Sequence, residues 1–281
     1  MKIGRSVALV TGASSGIGEA TADRLAAAGY KVYGTSRGGD GTGKRAFEML
    51  TLDVTSDESV DAVVRDVLGL SGRIDLLVNN AGFSVGLAGD EESSIAQASS
   101  IFDTNFFGTV RMTRAVVPQM RRQGAGRIIN IGSALGFIPM PYNAVYSATK
   151  HAIEGYSESL DHELRTWGVR VVVVEPGVTK TRFDANVVEP DSRLDEYREI
   201  RAALATTWQE AFAKGDEPAA VADVVLKAAT AARPKLRYPV GGVAVLRALR
   251  RFAPAGVVDS AIRKNLRLDA RTLSLPPVPA K

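Results

Sequence analysis

The run Val7-Ala-Leu-Val10-Thr11-Gly12-Ala-Ser-Ser15-Gly16-Ile17-Gly18 joins an apolar tetrapeptide to a glycine-rich turn and the start of a helix. Its apolar part has the length of a buried strand. Glu19 to Ala28 carries the helix, with Ala20, Leu25 and Ala27 available for burial and Gly29 closing it. Glycines let backbone approach an anion without an intervening Cβ, and the N–H groups and dipole of a helix start favour negative charge. Gly12, Ser14, Ser15, Gly16, Ile17 and Gly18 are therefore expected to cradle a pyrophosphate rather than to form a plain turn.

The same alternation continues downstream. Lys31 to Arg37 reads as a second strand, and Ala46 to Leu52 leads into Asp53-Val54. A helix is expected to open at Thr55, with Glu58 completing a capping box and Val60, Val63, Val64, Val67 and Leu68 forming its buried stripe. Ile74 to Val78 is a strand that runs into Asn79-Asn80-Ala81-Gly82; Ser99 to Gln123 reads as one long helix with Asn105 inside it. Ile128 to Ile131, a helix from Tyr146 to about Trp167, and the apolar run Val169 to Val174 follow. Strands alternating with helices predict an α/β fold with a doubly wound parallel sheet, whose ligands sit beyond the carboxyl ends of the strands. Asp53 and Asn80 fall there and are candidates for the adenosine half of a cofactor. The residues after the second strand discriminate between cofactors. An acid there would bond an unmodified ribose, but the chain has Thr35-Ser36-Arg37, with Asp40 out in the loop. A guanidinium suits a 2′-phosphate, with Ser15 and Ser36 as added donors, so NADP(H) is favoured over NAD(H).

Composition narrows the chemistry. Of 281 residues, 45% are hydrophobic and 23% charged, ordinary for a globular protein. No apolar run approaches the length of a membrane span, and the first residues do not read as a signal peptide, so a cytoplasmic location is expected. Zero cysteines exclude thiolate chemistry, and two histidines, His151 and His162, leave little for a metal site. No nucleic-acid partner is expected. The net charge of +4 is uneven: residues 233–281 hold eleven Lys/Arg against two Asp/Glu, or +9, which leaves −5 for the first 232.

The reactive groups lie in Ser133-Ala-Leu-Gly-Phe-Ile-Pro-Met-Pro-Tyr142-Asn-Ala-Val-Tyr146-Ser-Ala-Thr-Lys150. Tyr146 and Lys150, four apart, share a helix face, and an ammonium beside a phenol is expected to lower its pKa. Such a phenol can exchange a proton with a carbonyl or alcohol. Small residues on this helix (Ser147, Ala148, Ala152, Gly155, Ser159) suit a close subunit contact, consistent with a homodimer or homotetramer.

Taken together, Thr11–Gly18, Asn79–Gly82, Asn105, Ser133 and Tyr146–Lys150 resemble the short-chain dehydrogenase/reductase family in its single-domain, Rossmann-type form. Asn105-Phe-Phe-Gly-Thr-Val110 and Tyr146-Ser-Ala-Thr-Lys-His-Ala-Ile-Glu-Gly155 look most like its 17β-hydroxysteroid dehydrogenase-like branch. The resemblance implies that Tyr146 is the general acid/base, that Lys150 holds the nicotinamide ribose and depresses the Tyr146 pKa, that Ser133 bonds the substrate oxygen, and that Asn105 holds a water linking Lys150 to solvent. It assigns Asp53, Val54, Asn80, Ala81, Gly82, Pro176 and Gly177 to cofactor binding, with Thr179 (through its backbone) and Thr181 at the carboxamide. Phe83, Phe137, Met140, Tyr142 and Phe183 suggest an apolar pocket for a small carbonyl or alcohol substrate.

Two rival readings are weaker. Gly12-Ala-Ser14-Ser-Gly16 also fits a hydrolase nucleophile elbow with His151 or His162 as base, but leaves Tyr146, Lys150 and Asn105 without a task. A non-catalytic NADP-binding sensor would need no proton donor at Tyr146. Residues 1–240 are thus expected to form the main domain, with a mobile helical substrate flap at about 182–216. The extension 241–281 is basic and amphipathic, suited to a lid, a subunit contact or a peripheral membrane contact, and Pro276 to Lys281 reads as a disordered end.

Overall fold

The apolar runs and amphipathic segments become strands and helices in a computed structural model, which describes residues 5–38, 45–181 and 187–268. Asp40, Phe183 and the last residues from 276 lie outside the described residues. β1 (Val7–Val10) enters α1 (Gly16–Ala27), then come β2 (Lys31–Ser36), β3 (Glu48–Thr51), α2 (Asp57–Ser71) and β4 (Leu76–Asn79). The chain continues through α3 (Ile95–Phe102), α4 (Gly108–Gln123), β5 (Gly126–Ile131), α5 (Ala144–Leu164) and β6 (Val169–Glu175). It ends with α6 (Arg198–Ala213), α7 (Pro218–Thr230), β7 (Arg237–Pro239), α8 (Val243–Phe252) and α9 (Ala255–Asn265).

The strands pair in parallel in the order β3-β2-β1-β4-β5-β6-β7. This is the doubly wound sheet expected, with its order reversing between β1 and β4, where ligands bind in such folds. Residue alternation along each strand divides the core. Leu9, Leu77, Ile128 and Val171 pack with Val63, Val67 and Met112 of α2 and α4. Val10, Val78, Ile129 and Val172 pack with Leu25 of α1 and Val221 and Val225 of α7 on the other face. Pro239 sits in the edge strand β7, where a missing N–H costs no ladder bond.

Two helix boundaries depart from expectation for local reasons. The cap of α2 is Ser56 rather than Thr55: Ser56 Oγ accepts from Ser59 N at 3.1 Å. Thr55 is engaged elsewhere, its N–H and hydroxyl both donating to Asp53 Oδ1 at 2.9 and 2.7 Å. The segment read as one helix from Ser99 starts earlier, at Ile95, and passes from α3 to α4 through a π-helical turn, Asp103–Phe107. Asn105 lies in that turn.

The expected flap is helical in α6, where Arg201 pairs with the buried Glu92; Glu92 also accepts from Gly89 N at 2.7 Å and Leu194 N at 2.8 Å. Beyond β7, α8 inserts Arg247 between Glu175 at the end of β6 and Glu154 of α5, with its guanidinium 4.7 Å from the Phe137 ring centre. Arg237 pairs with Glu154 and Glu158, so two arginines face three carboxylates. Burial, then the neighbouring Glu154, push the Glu175 carboxyl up to about 8. A group whose folded value is raised stabilises the fold at low pH, and loses that contribution as pH climbs through the folded value. Thermal melts of Glu175→Gln should therefore show a flatter decline than wild type between about pH 5 and 8; parallel curves would refute a proton on this residue.

Candidate active site

A cavity of about 730 Å³ lies over the carboxyl ends of β1, β2 and β4. It is lined by the glycine turn (Gly12, Ser14, Ser15, Gly16, Ile17), Thr35–Arg37, Leu52–Thr55, Asn80–Phe83 and Thr181. Its glycines are demanded by shape. Gly12 and Gly16 sit at φ +65° and +60°, in the left-handed region, and a Cβ on Gly12 would come within 3.0 Å of Ala81 Cα. A Cβ on Gly18 would fall on the Gly12 carbonyl oxygen and lie 2.5 Å from Asn80 Nδ2. The cavity, with a helix N-terminus at one wall, fits a dinucleotide in size and in donors.

Asn80, expected at the adenosine half, also has a structural task. It lines the cavity, but its amide donates to the Thr11 and Gly12 carbonyls at 2.9 and 3.0 Å, bracing the glycine turn. Thr11, which sequence reasoning passed over, ties the same joint: its hydroxyl oxygen accepts from Asn80 N at 2.9 Å and Ala81 N at 3.0 Å. Arg45 was also missed. It donates to the Ala13 and Ser14 carbonyls at 3.3 and 3.2 Å and to Glu19 at 2.7 Å, so its guanidinium is spent on the turn. Arg37 lines the cavity and forms no close ion pair among the described residues. The Asp53 carboxyl is held below its ordinary value by the two Thr55 bonds, backbone first, with Arg37 and Arg111 assisting.

The second cluster stands at the ends of β5 and β6. Ser133 caps a short 3-10 turn, its hydroxyl oxygen accepting from Leu135 N at 3.1 Å and sharing a hydrogen bond with the Tyr146 phenol. Lys150 is buried and donates to the Ile131 carbonyl at 2.9 Å, 5.6 Å from the centre of the Tyr146 ring. The expectation that the ammonium lowers the phenol is not met in this state: desolvation raises Tyr146 above its ordinary value, against a smaller opposite pull from Ser133. The same desolvation brings Lys150 down to about 8.

Asn105 is buried, and its position in a π-turn accounts for a poor helix former inside a helix. Its Oδ1 accepts from Phe83 N and its Nδ2 donates to Phe83 O, both at 2.9 Å. The side-chain amide thus clamps the loop after β4, and its main-chain carbonyl accepts from Thr109 Oγ1 at 3.2 Å. Behind the site, a buried chain with no sequence signal runs from Asn79 Nδ2 to Asn130 Oδ1 (2.9 Å), and from Asn130 Nδ2 to Ser157 Oγ (2.8 Å). It fastens α5, the helix bearing Tyr146 and Lys150, to β4 and β5.

Pro176 O accepts from Ala134 N at 2.8 Å, which holds the loop after β6 beside the Ser133 turn. Thr181 faces the glycine turn: a Cβ on Gly16 would approach its Cβ to 3.1 Å. Thr179 donates its hydroxyl to Gly177 O at 3.2 Å. Val54, Ala81 and Gly82 line the cavity, whereas Gly18, Pro176, Gly177 and Thr179, like the Ser133–Tyr146–Lys150 group, are not part of its wall. Ser14 shares no hydrogen bond with either histidine among the described residues, and His151 Nδ1–H donates to Ser147 O at 2.9 Å. Among the described residues no group of three or more His, Asp or Glu could hold a metal ion.

Comparison with known proteins agrees with this geometry. A family model described as short chain dehydrogenase matches residues 6–192. The chain is 38% identical to a 3-ketodihydrosphingosine reductase of Bacteroides thetaiotaomicron over 84% of this chain and 87% of that protein. It is also 38% identical to human 17-beta-hydroxysteroid dehydrogenase type 1, over 83% and 77%. Among solved structures, a short-chain dehydrogenase from Streptomyces avermitilis matches with TM-score 0.75 and 34% identity over 98% of both chains. A serine dehydrogenase complexed with NADP+ matches at TM-score 0.70 and 29% identity, over 83% of this chain and 93% of the other. A 3-ketoacyl-(acyl-carrier-protein) reductase from Brucella melitensis complexed with NADH matches at 0.71 and 25%, over 84% and 96%.

Proposed function

The chain belongs to the short-chain dehydrogenase family and is a pyridine-nucleotide-dependent oxidoreductase, and from that premise we propose that it interconverts an apolar ketone and its secondary alcohol with NADP(H), Tyr146 moving the proton. The observation that carries the reading is the Tyr146–Ser133 hydrogen bond, with Lys150 buried beside it, at the same sheet edge as the glycine cradle. The nicotinamide dinucleotide, when bound, supplies or accepts the hydride. Gly12 to Gly18, Asp53, Val54, Asn80 to Gly82, Pro176, Gly177, Thr179 and Thr181 are the residues that would hold it.

In the reducing direction the Tyr146 hydroxyl gives its proton to the substrate oxygen, which Ser133 orients by a second hydrogen bond. The phenolate left behind is a strong base, because desolvation raises the phenol, and Lys150 is a ready donor, because desolvation lowers the ammonium. Proton return from Lys150 to Tyr146 is therefore downhill. A water that resupplies Lys150 would be held by the Asn105 main-chain carbonyl, since the side-chain amide is committed to Phe83.

Arg37 supports the choice of NADP(H), standing in the cavity wall where an acid would serve NAD(H). Arg37→Asp should lower the ratio of kcat/KM for NADPH over NADH by about tenfold to a hundredfold, the worth of one charge-assisted bond; an unchanged ratio would remove this assignment. An apolar substrate is supported by Met140 and Tyr142, which pack with Ile200, Leu204, Leu266 and Leu268 beside the Ser133 loop, and by relatives named for a ketodihydrosphingosine and a hydroxysteroid. NADPH oxidation measured against a panel of ketones graded from short and polar to long and apolar tests the class; turnover confined to the polar members would overturn it.

A further inference from the structure

On α8, Arg247 and Arg250 reach back to the domain while the apolar side chains turn out. Arg247 is paired with Glu175 and Glu154, and Arg250 Nε donates to the Phe137 carbonyl at 3.3 Å. Val245, Leu246, Leu249 and Phe252 are exposed, Phe252 by 80%. Helical spacing gathers these four into one arc. Val257, in the next helix, is exposed by 59%. An apolar face of this kind marks a contact surface, and charge selects the occupant. Residues 241–268 hold Arg247, Arg250, Arg251, Arg263, Lys264 and Arg267 against the single acid Asp259. Among the described residues, Arg250, Arg251, Arg263 and Lys264 pair with no carboxylate. A second copy seated on this face by a twofold axis would set these cations against themselves. A layer of anionic headgroups would neutralise them and admit the apolar arc beneath.

We propose that α8 docks the protein on the surface of a membrane rich in anionic phospholipid, with Leu249 and Phe252 entering the acyl region and Arg251 at the phosphates. The contact is with the surface, for no helix among the described residues is long and apolar enough to cross a membrane. Through Arg247 and Arg250 the docked helix touches Phe137, four residues after Ser133, so the membrane adjoins the loop that carries the substrate contact.

Co-sedimentation of the full chain with vesicles tests this without reference to turnover. Wild type should bind vesicles of phosphatidylcholine with phosphatidylglycerol, bind phosphatidylcholine alone far less, and be released by salt. Leu249→Ser with Phe252→Ser should weaken the partition about tenfold or more, and Arg251→Glu with Lys264→Glu should abolish the preference for anionic vesicles. Melting temperature and NADPH oxidation in the absence of lipid should be unchanged, as these side chains are exposed. Failure of wild type to bind the anionic vesicles, or equal binding by the variants, overturns the proposal. A fall in oligomer mass of the serine variant in analytical ultracentrifugation would assign the face to a second copy and overturn it as well.

Discussion

Tyr146→Phe should lower kcat for carbonyl reduction by about 10²–10⁴-fold, the range for loss of a positioned acid, while the affinity for NADPH stays within a factor of two or so of wild type. The ring remains in place, half-buried between Ser133 and Lys150, so the loss isolates the hydroxyl. Stability should fall by about 1 kcal/mol, one hydrogen bond to Ser133. Stopped-flow reduction and a fluorescence titration with NADPH separate the two effects. Turnover within a factor of a few of wild type would sink the assigned proton donor, whereas joint loss of turnover and NADPH binding would mean that the phenol holds the cofactor site together instead.

Gly18→Ala is the other change expected to act severely, although it adds one methyl group. The new Cβ would fall on the Gly12 carbonyl oxygen and within 2.5 Å of Asn80 Nδ2, both backbone-anchored parts of one brace. A flexible side chain could swing away; a carbonyl at the turn of β1 into α1 cannot. Destabilisation of about 2–4 kcal/mol is expected. Wild type should gain melting temperature as NADPH is added, and the variant should gain little, because the turn that must seat the pyrophosphate has been forced apart. A variant that melts and binds as wild type would show that the turn yields more easily than its hydrogen bonds suggest.

Much of this architecture was legible because it rests on periodicity. The apolar runs at β1, β4, β5 and β6 and the valine stripe of α2 fall where the residues put them. Side-chain packing within α1 was less legible: Ala22 and Thr21 are buried rather than Ala20 and Ala27, since Gly16 and Gly18 belong to the helix and set its phase. The polar joints were hidden for another reason. Thr11, Arg45, Asn130 and Ser157 act through partners 26 to 70 residues away, as the Arg45–Glu19 and Ala81–Thr11 bonds show, and no local pattern marks such a pairing. Asn80 stood out as a candidate at the strand ends and Asn105 as a poor helix former, but the bonds their amides make to backbone carry no sequence signal. Tyr146 shows the limit on the electrostatic side: charge proximity can be read from an offset of four, whereas the desolvation that outweighs it depends on walls drawn from the whole fold.

The π-turn at Asp103–Phe107 gives α3 and α4 something like a reading frame. One residue more than a regular helix advances every later side chain by about 100° around the axis. Gly108, which a Cβ would drive to 2.7 Å from Val54 Cγ2, meets the turn after β3 only in that phase. Length changes on either side of the turn are therefore frameshifts in three dimensions, and two of opposite sign can restore the message that one alone garbles.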